Sequence, residues 1–122
     1  MTQLQRLRNR RSEILKEISA LEQIRRGSVV EQYIETVNAD GTKVRRGPYA
    51  LYSYKEKKKT VSRRVSNPEL AKVYREQINA FRRFQELNTE LTSIGEKISD
   101  MVISEEDDQK KQQKSLSNKT RK

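Results

Sequence analysis

The sequence predicts an α+β protein: an antiparallel two-helix hairpin, coiled-coil-like, with a small antiparallel β-meander inserted between the helices. Three observations point there. Two long segments, 3–25 and 68–102, repeat apolar residues at spacings of three and four. The stretch between them, 28–66, is rich in β-branched and aromatic residues and punctuated by Asp-Gly and Gly-Pro. Hydrophobic residues make up 32% of the chain and charged residues 36%, which leaves too little apolar material for a large core. The expected organisation is one domain over 1–103 and a disordered tail over 104–122.

In the first segment Leu4, Leu7, Ile14, Ile18 and Leu21 form one narrow stripe, with Arg11 and Arg25 at the gaps. A narrow stripe opposite a charged face suits a helix–helix seam. Gly27 is the expected helix stop. Residues 29–37 then read as a strand, and Asn38-Ala39-Asp40-Gly41 as a turn, because Asp-Gly readily takes positive φ. A short returning strand over 42–46 precedes Gly47-Pro48, which is expected to reset the chain direction. Residues 49–55 are a strong strand candidate, 55–59 a polar loop, and 60–66 another, returning strand. Such a meander needs a helix against one face. The second helix supplies it: Asn67 or Ser66 can cap it, Pro68 suits its first turn, and Tyr74, Ile78 and Phe81 broaden its apolar face in the first half. Its remainder, through Leu87, Leu91, Ile94, Ile98 and Met101, keeps only a narrow stripe, for which the first helix is the natural mate.

The formal charge is +10, and its placement is the strongest functional signal. Residues 43–83 hold 13 Lys/Arg against three carboxylates, while the two flanking segments are nearly neutral. A concentrated patch of one sign repels itself, and a polyanion relieves that cost. The absence of cysteine removes disulfides and thiolate metal sites, and the absence of histidine removes the commonest general base and metal ligand. Serine has no base partner, and the carboxylates Glu105 to Asp108 lie in the tail without a scaffold. No catalytic residue, metal site or cofactor is therefore expected, and the chain reads as a non-enzyme. No apolar run approaches the ~20 residues that span a bilayer, and no basic helix has an interfacial apolar face, so a cytoplasmic, nucleoid-associated protein without a membrane partner is expected.

The candidate nucleic-acid-binding residues are Arg45, Arg46, Lys55, Lys57, Lys58, Lys59, Arg63 and Arg64. A β-ribbon carrying Lys and Arg can lie along phosphates or enter a major groove. Lysines on an edge strand also guard against aggregation, which is the plainer explanation of the same residues. Arg63 and Arg64 fall on opposite strand faces, so one of them reaches the helix-free side. Arg25, Arg26, Lys72 and Arg75 are possible additional phosphate contacts; the first two also suit a helix C-terminus. Tyr49, Tyr52 and Tyr54 invite comparison with base-stacking platforms, although tyrosines in a small sheet more often pack on the covering helix.

Ile24-Arg25-Arg26-Gly27-Ser28-Val29-Val30-Glu31-Gln32-Tyr33, then Gly47-Pro48-Tyr49, then Phe81-Arg82-Arg83-Phe84 with Leu87 and Leu91, resemble an uncharacterised family of short basic bacterial and archaeal proteins. The resemblance covers residues 24–94. It implies a mobile-element or host-defence setting, since members are often encoded near transposases. Many members carry cysteines between the first two motifs and a histidine before Gly-Pro-Tyr. This chain has Val37 to Arg46 there, so no metal site carries over.

The expected function is non-enzymatic nucleic-acid binding, duplex DNA in preference to RNA, through a basic β-hairpin and as an accessory to a mobile element or phage. Two alternatives stand beside it: a coiled-coil adaptor docking a larger enzyme or assembly, and an RNA-binding ribonucleoprotein accessory. The helix seams allow a homodimer or a larger protein partner.

Overall fold

A computed structural model describes residues 1–120, with side chains to Lys111. The order is α1 (Gln3–Ala20), β1 (Ser28–Val37), β2 (Lys43–Glu56), β3 (Lys59–Val65) and α2 (Pro68–Thr120). The α+β class holds, with a three-stranded antiparallel sheet in the order β1-β2-β3 lying between the two helices in sequence. The chain divides into two compact units: Leu21–Phe84, and Met1–Ala20 together with Gln85–Lys122.

The first unit holds the sheet and the start of α2. Tyr52, Val65, Ala71, Tyr74 and Ile78 form its buried core, with Val29, Ala50 and Tyr54 packed against them. The register explains the choice of face. Val29 lies opposite Tyr52, Ala50 opposite Val65, and Tyr52 opposite Arg63, so these positions share the helix-covered side. Asn67 caps α2, its Oδ1 accepting the Glu69 N–H at 3.0 Å, and Pro68 opens the helix where a missing N–H is harmless.

The expected break at Gly47-Pro48 is replaced by one continuous strand carrying a bulge. Gln32 pairs with Tyr49 but Ile34 pairs with Arg46, so β2 has one residue more than β1 at that point. Gly47 takes φ 129°, and a Cβ there would come within 2.9 Å of the Gln32 carbonyl oxygen.

The first helix ends at Ala20, five residues before its expected end at 25. The cause is tertiary. The Arg25 N–H bonds to the Gln77 carbonyl at 3.1 Å, its Nε to Gln77 Oε1 at 2.9 Å, and Gln23 receives the Gln77 side-chain amide at 3.3 Å. These bonds to α2 draw residues 21–27 away from helix. Gly27 is accordingly a close-approach residue instead of a helix stop: at φ 116°, a Cβ would strike the Ser53 carbonyl oxygen.

In the second unit Ile14, Leu87 and Ile94 are buried, the first two completely. Arg10 of α1 donates from Nε and Nη2 to the two Glu90 oxygens at 2.6 and 2.9 Å, and from Nη1 to Glu13 at 3.2 Å. Thr2 and Gln5 close a reciprocal capping box at the start of α1, each backbone N–H donating to the other's side chain at 3.0 and 3.1 Å. α2 continues past the expected end at 102 to Thr120, through most of the stretch read as a disordered tail. That stretch is mostly Glu, Asp, Gln, Lys and Ser, with no Gly or Pro after Gly95, so nothing local stops the helix. Residues 121–122 of that expected tail lie outside the described residues.

Candidate nucleic-acid interface

The basic residues of β2 and β3 converge on a hairpin closed by a two-residue turn. Glu56 pairs with Lys59, which leaves Lys57 and Lys58 as the only turn residues, at φ 49° and 68°. Two consecutive positive φ values define the turn type whose twist matches a β-hairpin, and Asn-Gly is its usual occupant. The expected polar loop over 55–59 is thus shorter, with Lys55, Glu56 and Lys59 belonging to the strands. Lys55, Lys57, Lys58 and Lys59 are all exposed.

The register sorts the arginines. Arg64 lies opposite Leu51 on the face away from α2, where Ser53 and Ser62 bridge at 2.8 Å. Its guanidinium stacks over Tyr49, 4.1 Å from the ring centroid. Arg46 pairs with Ile34 on that same face and is exposed. Arg45 takes the other face, its guanidinium 3.9 Å from the Tyr33 centroid. Arg63 points toward α2, donating to the Tyr74 hydroxyl at 2.8 Å. Arg25 also meets Tyr74, its guanidinium 4.0 Å over the ring. Tyr52 completes this cluster, stacked on Tyr54 at 5.2 Å, edge-on to Tyr74 at 5.1 Å, and donating to the Arg26 carbonyl at 2.6 Å. Arg63, still exposed, and the half-buried Arg25 are therefore both engaged by the unit's own aromatic rings. On α2, Lys72 and Arg75 are exposed, and Arg75 faces Glu31 at 3.7 Å.

Among the described residues, no Lys or Arg of 43–65 forms an ion pair. The hairpin's charge is left to solvent or to a ligand. At its far end Asp40 accepts the Thr42 N–H at 3.0 Å. Hydrogen bonds from Thr42, first its side chain and then its backbone, hold the Asp40 carboxyl below the usual range. Asp40 precedes Gly41 (φ 85°), whose N–H closes the β1–β2 turn on the Asn38 carbonyl at 2.9 Å. The Arg–Tyr pairings are what sequence reading missed. The signal was present in part: once Tyr52 is paired with Arg63, alternation puts Arg64 and Tyr49 together on the opposite face.

The described residues contain no cluster of three or more carboxylates, histidines or cysteines able to hold a metal ion. None of their helices is long and apolar enough to cross a membrane.

A family profile described as "Domain of unknown function (DUF6788)" matches residues 4–75. The chain belongs to this family. The matched DUF6788 segment takes in α1, the whole sheet and the first residues of α2, so the basic hairpin lies inside it. No curated protein and no solved structure matches the chain.

Proposed function

We propose that this chain is a non-enzymatic nucleic-acid-binding protein that grips duplex DNA through the β2–β3 hairpin, with Lys55, Lys57, Lys58, Lys59, Arg46 and Arg64 on phosphates. The turn carries the reading. Lysine is a poor occupant of positive φ, at a cost of about 1 kcal/mol per residue, yet both turn positions hold it. Local rules are broken most often where function requires it. Two ammonium groups at the apex of a two-stranded ribbon are the arrangement that reaches furthest into a groove lined by phosphates. Arg45, Arg26, Lys72 and Arg75 flank the grip, while Arg25 and Arg63 brace it through their contacts with Tyr74. RNA is the competing polyanion.

In this proposal α1 and the later part of α2 pair within one chain as an antiparallel, coiled-coil-like hairpin. The full burial of Ile14 and Leu87 and the two-pronged Arg10–Glu90 contact support that pairing. It leaves exposed helical surface for a protein partner and suits an accessory of a mobile element or phage acting in the nucleoid.

A salt titration of binding to a labelled duplex tests the proposal. With about six phosphates contacted, log K falls against log salt with a slope near −5. A slope near zero, or tighter binding to single-stranded RNA in competition, overturns it.

A further inference from the structure

Beside the hairpin, where β3 hands over to α2, the first unit has an open cavity of about 300 Å³. That volume is at the lower end of small-ligand sites and admits one ring system, not an extended molecule. One wall is apolar, formed by Pro48, Ala50 and Ala71. The Tyr49–Arg64 stack borders it from the sheet face away from α2, with Arg64 exposed and free of any ion pair. Its other wall is polar and of mixed sign: Glu31 and Arg75, 3.7 Å apart, both line it. Two guanidiniums against one carboxylate leave the lining net positive, which suits a phosphate, while Glu31 adds an acceptor for a donor on a ring edge. A planar ring whose edge carries both donors and acceptors fits this lining, and a guanidinium already stacked on tyrosine is a ready platform for it.

We infer that this cavity takes one unpaired nucleotide of a DNA strand, its base lying on the Tyr49–Arg64 stack and its edge facing Glu31 and Arg75. The inference rests on the nucleic-acid reading and adds a preference within it: duplex ends or junctions carrying an unpaired base, over uninterrupted duplex.

The test compares three labelled DNAs by fluorescence anisotropy at one salt concentration: a blunt duplex, the same duplex with a short unpaired extension, and that extension made abasic. The expected result is that the extended duplex binds roughly tenfold to a hundredfold tighter than its abasic counterpart. Tyr49→Leu brings that ratio to near one. Equal affinities for the extended and abasic forms overturn the inference, even while salt-dependent binding of the blunt duplex leaves the hairpin proposal standing. Failure to bind any of the three overturns both. The wild-type comparison decides the matter alone if Tyr49→Leu does not fold.

Discussion

Replacing Lys57 by Asn and Lys58 by Gly separates what the hairpin tip does for folding from what it does for binding. Both lysines sit at positive φ, 49° and 68°, which Asn and Gly accept with little cost. Relieving about 1 kcal/mol at each position, less the extra unfolded-state freedom of the new glycine, leaves a net stabilisation of about 1 kcal/mol. For a protein of this size that is a rise in melting temperature of about 4 °C. The same change removes two of the proposed phosphate contacts, so the salt slope is expected to fall from near −5 to near −3.5. Circular dichroism melting and a salt-titrated anisotropy series read the two effects independently. A more stable protein with weaker, less salt-sensitive binding is the expected outcome. An unchanged slope means that the tip lysines do not touch phosphate. A loss of stability means that the lysines are at home in the turn, and the reasoning from strain fails.

Three further outcomes follow from the packing. Gly27→Ala drives a methyl group into the Ser53 carbonyl, with Tyr52 Cε2 3.2 Å away, and is expected to cost about 2–3 kcal/mol in urea unfolding. Leu87→Ala empties a fully buried site and is expected to cost about 3 kcal/mol by the same measurement, while binding to DNA by the intact hairpin persists at low temperature. Asp40 has its carboxyl held below the ordinary value when folded, so the unfolded chain binds the extra proton. Its contribution is thus present above about pH 4 and lost as pH falls through the depressed value; NMR titration of Asp40 checks the direction, and Asp40→Asn removes this part of the acid sensitivity.

The parts legible in the sequence are those set by local chemistry. Asp40-Gly41 marks a turn because of the φ its glycine takes, and Asn67-Pro68 marks a helix start because of the bonds those residues can and cannot make. The three antiparallel strands followed from β-branched runs between such signals. What stayed hidden depends on residues far apart in the chain. The early end of α1 is the work of Gln77, 52 positions from Arg25. The inward turn of Arg63 and Arg25 depends on Tyr74, and charge counting treats them as equal to Arg64 and Arg26. Periodicity could not reveal the bulge either, because Gly47-Pro48 reads equally well as a chain reversal.

That bulge acts as a change of phase. Upstream of it, odd-numbered residues of β2 share the helix-covered side; downstream, even-numbered ones do. Were β2 to run through Gly47-Pro48 without the bulge, alternation would send Arg46 toward the side of Tyr52 and bring Arg45 beside Tyr49; deleting either residue instead restores plain alternation and leaves Arg46 on the face of Tyr49. The cationic face is therefore held together by the kink that absorbs one surplus residue: Arg46 joins Arg64 and Tyr49 only because the ladder skips a step there.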